Sequence, residues 1–213
     1  SHDLRQPLQS LGLFLQIMVE RSGAPGSVER AAQQAYDATV RLVDAMFDAA
    51  ALESGRAKPV IERVDVADVL GRIAAESRAE AEARGLFLRQ RLCHVEVDTD
   101  KVMLERIVRN LASNALKYTT SGGILIACRT TPNAVRVKVA DSGPGIPEDK
   151  RTLIFEDFYQ IENPERDPRK GLGLGLATVS RMARALGFRF YVLSRKGMGS
   201  TFVVEIPRLG GNG

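Results

Sequence analysis

Val135-Arg136-Val137-Lys138-Val139-Ala140-Asp141-Ser142-Gly143-Pro144-Gly145 opens as a strand and closes as a tight turn. Valines at every second position mark one buried face, and the same alternation carries Asp141 onto that face. A carboxylate aimed at a core needs a donor. The glycines and proline that follow let the chain turn sharply and let a flat ligand approach the backbone. An adenine amino group would satisfy Asp141; a capped turn, with the Asp bonding its own loop, is the competing reading.

Upstream, Lys101 to Lys117 has helical periodicity, with Leu104, Ile107, Val108, Leu111 and Ala115 on one arc. Asn110, Asn114 and Lys117 fall within about 60° of one another beside that arc. Two asparagines one turn apart offer neutral oxygen ligands to Mg²⁺, and a lysine one turn on adds positive charge for phosphates. Downstream, Gly171-Leu172-Gly173-Leu174-Gly175-Leu176 precedes a helix, which supplies backbone donors and a helix N-terminus suited to phosphate oxygens. The polar stretch from Gln160 to Lys170, with Arg166, Arg169 and Lys170, reads as a lid over a triphosphate or as a plain loop. Gly197-Met198-Gly199-Ser200-Thr201 forms the turn between the last two strands, as a hairpin or as a ligand contact.

The wider pattern predicts strands near Val60–Val64, Leu86–Leu92 and Val95–Val97, a helix over Val66–Arg84, strands at Gly123–Thr130 and Ala134–Ala140, a helix from Leu174 to Leu186 and a final strand pair. The expected fold class is α+β, a sandwich of helices over one mixed sheet. Residues 1 to about 54 differ. They read as two helices joined by Ser22-Gly23-Ala24-Pro25-Gly26, with seams Leu4, Leu8, Leu11, Leu15, Met18 and Val28, Ala32, Ala35, Thr39, Leu42, Met46, Ala49. Two such helices enclose no core alone, so pairing with a second copy into a dimeric four-helix bundle is expected, with packing on the rest of the chain as the alternative. Gly55–Pro59 is the expected linker, dividing the chain into domains 1–56 and 57–213.

On the first helix, His2 points away from the leucine seam and shares the solvent face with Gln6. Asp3 can hold one imidazole nitrogen protonated or take its proton, leaving the other as a nucleophile. Pro7 supplies no backbone donor and loosens the helix there.

Ser1-His2-Asp3-Leu4-Arg5-Gln6-Pro7-Leu8 closely resembles the phosphoacceptor box of two-component sensor histidine kinases. The stretch from Asn110 to Thr119 is similar to the N box of that family, and Asp141 to Ile146 resembles its first glycine box. Phe155-Glu156-Asp157-Phe158 looks like the F box, with second and third glycine boxes at Gly171–Gly175 and Gly197–Thr201. The resemblance covers essentially the whole chain. It implies a dimerising helical hairpin attached to the Bergerat ATP-binding fold shared with gyrase, Hsp90 and MutL. It makes His2 the phosphorylated residue and Asp3 its base. Gln6 stands where many such kinases carry Thr or Asn to orient a dephosphorylating water. It further implies Mg²⁺ at Asn110 and Asn114, phosphate at Lys117, and Tyr118 lining the nucleotide site. Asp141 then meets adenine over a floor shaped by Gly143 and Gly145, with Gly171, Gly173 and Gly175 as the lid hinge and Thr201 completing the ATP contacts. The implied partner is a response regulator with a receiver aspartate.

Of the 213 residues, 44% are hydrophobic and 26% charged, as in ordinary soluble proteins, and the net charge of +4 comes from 30 cations spread among 26 acids. With no basic stripe, no Trp and 6% aromatics, nucleic acid is not an expected partner. No apolar run reaches the roughly 18 residues of a membrane span, and a cytoplasmic location without membrane contact is expected. Cys93 and Cys128 read as reduced core thiols. Two further readings compete: a non-catalytic dimer module that reports ATP binding, and an ATPase clamp that never forms a phosphoenzyme.

Overall fold

The computed structural model describes residues 58–161 and 173–208, together with Ala32, Tyr36 and Thr39, which are helical. The hairpin, including His2, Asp3 and Gln6, otherwise lies outside the described residues, as do Gly171, Arg166, Arg169 and Lys170.

Two aspartates start the first two helices. The chain enters through β1 (Glu62–Asp65), and Asp65 caps α1 (Val66–Ala83) by accepting from the Ala67 N–H at 2.8 Å. After β2 (Phe87–Arg91) and β3 (Glu96–Thr99), Asp100 caps α2 (Lys101–Tyr118) with Oδ1 on the Met103 N–H at 2.9 Å. Its Oδ2 accepts from the Val60 N–H at 2.8 Å, tying the domain entrance to the helix that carries the asparagines. Both helices bury one stripe, with Leu70 and Ile73 of α1 and Leu104, Ile107 and Leu111 of α2 almost wholly removed from solvent. Burial of this kind stabilises by about 1.5–3 kcal/mol per large side chain.

β4 (Gly123–Thr130) and β5 (Ala134–Asp141) form a hairpin, two short 3₁₀ turns follow at Glu148–Lys150 and Leu153–Phe155, and α3 (Gly175–Ala185) precedes β6 (Arg189–Ser194) and β7 (Ser200–Pro207). The main sheet has the order β2-β4-β5-β7-β6, with β2 parallel to β4 and every other pair antiparallel. The register sets Val135, Val137 and Val139 directly opposite Ile206, Val204 and Phe202, so these six, with Ile124 and Ile126 of β4, belong to the sheet's contribution to the core beneath the helices.

The expectation of one mixed sheet is corrected. β1 and β3 form a separate antiparallel pair, with Val64 opposite Val97, and join none of the five main strands. Each has only four residues, and strand partners are non-local, so alternation alone could not assign them. Val60 and Ile61, read as strand from their β propensity, lie ahead of β1 and are exposed, because the Val60 N–H serves Asp100 rather than a ladder. Cys93 and Cys128 are free thiols, as expected. The Cys93 N–H donates to Cys128 Sγ at 2.7 Å, and burial followed by contact with Cys93 pushes the Cys128 thiol up to about 12.

Candidate nucleotide site

Asp141 ends β5 on the face that α2 covers, as the valine alternation requires. Its Oδ1 accepts from the Gly143 N–H at 2.9 Å and from the Ser200 N–H at 3.2 Å. Burial pushes its carboxyl above the ordinary range, partly opposed by those two donors. Both donors address one oxygen, so among the described residues Oδ2 is an acceptor without a partner. The capped-turn reading is therefore half right: the Asp bonds its own loop and still has an oxygen to give.

The loop after Asp141 is locked from several sides. Ser142 Oγ accepts from the Gly123 N–H at 2.8 Å and donates to the Ser121 carbonyl at 2.8 Å. The Ile146 N–H donates to Ser194 Oγ at 2.8 Å, and the Gly197 N–H donates to the Pro144 carbonyl at 2.6 Å. Gly145 sits at φ +68, and a Cβ there would lie 2.0 Å from the Arg195 carbonyl oxygen. Gly143 has no such φ, but its Cβ would lie 3.0 Å from the Tyr118 carbonyl oxygen. Glycine at both positions brings the turn flat against the end of α2 and against the β6–β7 turn.

Along α2, Asn110 donates its Nδ2 to the Arg106 carbonyl at 2.9 Å, which turns Oδ1 outward. Among the described residues the Asn114 amide has no hydrogen-bond partner. Both face the start of α3: a Cβ on Gly175 would lie 3.4 Å from Asn110 Oδ1 and 3.7 Å from Asn114 Nδ2. The capping residue of α3, Leu174, contributes no side-chain acceptor, so the first N–H groups of this 11-residue helix keep their donors. Lys117 lies against Tyr118, its Nζ donating to the Tyr118 hydroxyl at 3.0 Å, and Tyr118 is exposed. The C-terminus of α2 is held by Arg84, whose guanidinium donates to the carbonyls of Leu116, Lys117 and Thr119. No sequence motif marks Arg84; only the α1–α2 packing brings it there.

Gly173, at φ +72, packs where a Cβ would meet the Phe158 carbonyl carbon at 2.8 Å and the Tyr159 carbonyl oxygen at 2.9 Å. Phe158 itself has φ 62 and is exposed. Arg181 of α3 binds both carboxylate oxygens of Asp157 at 2.9 and 3.0 Å, and Phe155 meets Phe190 edge-on at 5.3 Å. The F-box segment is thus fastened to α3 and the core just ahead of a strained, outward-facing phenylalanine.

Thr201 is not brought to the others. It pairs with Ala140 and Leu193 on the sheet face opposite Asp141. Its neighbour Ser200 is the residue at the site: it is buried, donates its N–H to Asp141, and shares a hydroxyl contact of 3.0 Å with Ser194 Oγ. The apolar alternation Phe202, Val204, Ile206, counted back two, selects Ser200 from sequence.

From Asn110 to Tyr118, α2 extends about 12 Å, with the Asn110 and Asn114 amides and the α3 N-terminus at one end and the Asp141 loop at the other. A carboxylate oxygen without a donor at the loop and amide oxygens beside helix donors fit a purine at one end and a metal-bound phosphate chain at the other.

The family described as Histidine kinase-, DNA gyrase B-, and HSP90-like ATPase matches residues 99–210, which contain α2, the Asp141 loop, α3 and the last hairpin. The chain is 30% identical to sensor histidine kinase TmoS of Ectopseudomonas mendocina over 97% of this chain and 22% of that protein. It is 29% identical to sensor protein CutS of Streptomyces coelicolor over 97% of this chain and 51% of that protein. The chain therefore spans from about a fifth to about half of these relatives. Among solved structures, full-length ShkA in complex with AMPPNP superposes with a TM-score of 0.80 at 29% identity, over 97% of this chain and 44% of that one. The Acinetobacter baumannii histidine kinase AdeS shares the fold, with a TM-score of 0.72 at 21% identity over 99% of both chains. The acceptor edge of α2, the glycine-built loop on Asp141 and the family match together make the chain a member of the histidine kinase-, DNA gyrase B- and HSP90-like ATPases, and the relatives it matches include sensor histidine kinases.

Proposed function

We propose that the chain is the kinase core of a two-component sensor: residues 57–213 bind Mg-ATP, and residues 1–56 present His2 as the phosphoryl acceptor in a homodimer. The observation that carries the nucleotide half is the unpartnered Oδ2 of a half-buried Asp141 whose other oxygen is fixed by the Gly143 and Ser200 N–H groups. It is held to accept from an adenine amino group. Asn110 and Asn114 would hold Mg²⁺, which would supply positive charge to offset that of the phosphates. Lys117 and the N–H groups opening α3 would meet phosphate oxygens, with Tyr118 along the nucleotide and Gly171, Gly173 and Gly175 hinging the lid.

In the proposed reaction an imidazole nitrogen of His2 attacks the γ-phosphorus in line. A nitrogen–phosphorus bond forms, the bond to the β,γ-bridging oxygen breaks, ADP leaves, and Asp3 takes the imidazole proton. The phosphoryl group then passes to an aspartate of a response regulator, separate or fused, and Gln6 would orient water for the separate hydrolysis of that aspartyl phosphate to inorganic phosphate. His2 and the nucleotide belong to different domains, so a domain rotation through the linker gates the step. Among the described residues no helix is long and apolar enough to cross a membrane. We assign the core to the cytoplasmic side, away from nucleic acid and membrane.

Incubation with γ-labelled ATP and Mg²⁺ tests the chemistry. The account expects label on the protein that is lost in acid and kept in alkali. Hydrolysis without any labelled protein would instead support the ATPase clamp, and tight nucleotide binding with neither outcome would support a reporting module.

A further inference from the structure

The exits of α1 and α2 lead into neighbouring strands, where the Phe87 N–H meets the Gly122 carbonyl at 3.1 Å, but the two exits are built differently. α1 closes on glycine: the Gly85 N–H donates to the Glu82 carbonyl at 3.0 Å and the Leu86 N–H to the Ala81 carbonyl at 2.9 Å, with Gly85 at φ +67. This pair of bonds fixes the backbone of Arg84, the residue that caps α1. α2 has no such stop. It ends at Thr119 in extended backbone, φ -89 and ψ 121, and the Thr119 N–H covers the Ala115 carbonyl at 3.1 Å. The carbonyls of Leu116, Lys117 and Tyr118 are left over from the last turn. Arg84 reaches across to two of them and to the next one on, its guanidinium donating to Leu116, to Lys117 at 3.5 Å and to Thr119 at 3.4 Å. Glu80, the carboxylate paired with it, stands off at 3.9 Å, so the guanidinium's hydrogen bonds go to carbonyls. The Tyr118 carbonyl is turned to the Asp141 loop, where a Cβ on Gly143 would lie 3.0 Å from it.

We propose that Arg84 is a positioning residue for ATP, setting the last turn of α2 so that the Lys117 ammonium meets the phosphate chain. The proposal rests on the reading of Lys117 as a phosphate contact. Lys117 is the basic residue of that last turn, and its own carbonyl is one of the three that Arg84 holds. The direction in which its side chain leaves the helix is therefore fixed from α1, outside the site. Without Arg84 the last turn has orphan carbonyls and no glycine to close on, so it frays and the Lys117 stem swings. The Asp141 loop keeps its own bonds, from the Gly123 N–H to Ser142 Oγ and from the Ile146 N–H to Ser194 Oγ. The phosphate half of the ligand then loosens while the adenine half is kept. The task suits arginine: two terminal nitrogens of a planar fork span three carbonyls, whereas a lysine ammonium is a point donor.

Calorimetry on the full 213-residue chain compares Mg-AMPPNP, which carries a phosphate chain, with adenosine, which carries none. The proteins are wild type, Arg84→Ala, Arg84→Lys, Lys117→Ala and the double variant Arg84→Ala/Lys117→Ala. Arg84→Ala should lose at least about fivefold in affinity for Mg-AMPPNP and less than about twofold for adenosine. Arg84→Lys, which keeps the charge, should show the same selective loss. In the Lys117→Ala background, Arg84→Ala should add less than about twofold, because the group it positions is gone. An equal loss for both ligands would make the role of Arg84 structural. Full Mg-AMPPNP affinity in Arg84→Lys would assign the effect to charge, and additive losses in the double variant would separate Arg84 from Lys117; each of these three results overturns the proposal. Should Arg84→Ala melt below the assay temperature, Arg84→Lys and Arg84→Lys/Lys117→Ala carry the same comparison. Wild type that binds no Mg-AMPPNP, or Lys117→Ala that binds it as wild type does, would defeat the nucleotide reading itself, and the role of Arg84 with it.

Discussion

At the scale of residues, Asp141 carries a stability cost that its proposed binding role would offset. Burial raises its carboxyl pKa, so the fold disfavours the ionised form, while an adenine amino group would favour it. Asp141→Asn should therefore leave the melting temperature of the nucleotide-free protein unchanged or higher at neutral pH. Its ATP affinity should fall at least about tenfold, the worth of one hydrogen bond to a charged group; calorimetry reads both. The same sign makes wild-type ATP affinity decline on acidification at a pH above the ordinary carboxylate range. His94 gives a separate test at the surface. Hydrogen bonding to Asp65, at 2.8 Å, raises His94 above its ordinary 6.5, and the same bond lowers Asp65 below its ordinary 3.8. The pair's stabilisation is complete on the His94 side below pH 6.5 and disappears as pH rises through the raised value; on the Asp65 side it disappears in acid. Wild type should melt above His94→Gln at pH 6 and converge with it in alkali, and a pH-independent gap would contradict the pairing. Thr201, expected to contact ATP, lies on the sheet face opposite Asp141, while its neighbour Ser200 donates to that carboxylate. Two adjacent hydroxyl residues follow a pair of positive-φ glycines, and the alternation counted back from Phe202, matched by the register, decides which one faces Asp141.

At the scale of elements, the Asp100 cap and Gly145 decide how well the site is held, with Gly187 as the comparison. Asp100 satisfies Met103 and Val60 at once, so Asp100→Ala should lose about 1–2 kcal/mol for the cap and loosen the entry to β1, measured by denaturant unfolding and by amide exchange at Val60. Gly145 and Gly187 have almost the same φ, +68 and +70, but a Cβ meets the Arg195 carbonyl oxygen at 2.0 Å in the first and open space in the second. Gly187→Ala should therefore cost only the left-handed penalty of about 1–2 kcal/mol. Gly145→Ala must also push the β6–β7 turn away, and should lose more stability together with ATP affinity. Equal effects from the two would contradict the locked loop. Element types were legible because each amphipathic run has a clear period and an aspartate or glycine at its boundary; α2, β4 and β5 differ from expectation by at most a residue at an end. What pattern could not give was non-local: that β1 pairs with β3, and that Arg84 crosses from α1 to hold the end of α2.

At the scale of the whole molecule, one sheet serves two faces. Successive residues Ala140–Asp141 and Ser200–Thr201 place a nucleotide-facing group and an outward-facing group side by side on β5 and β7. The family match covers residues 99–210, the nucleotide-binding half; the acceptor half rests on the sequence around His2. The account joins those halves in one claim, that a phosphoryl group held by the Asp141 domain ends on His2. Mapping γ-labelled phosphate by alkaline peptide mass spectrometry, in wild type and in His2→Gln matched for ATP-analogue affinity, tests it most directly. The account predicts phosphohistidine at His2 in wild type and none in the variant; equal labelling in the variant, or label at another residue, would contradict it.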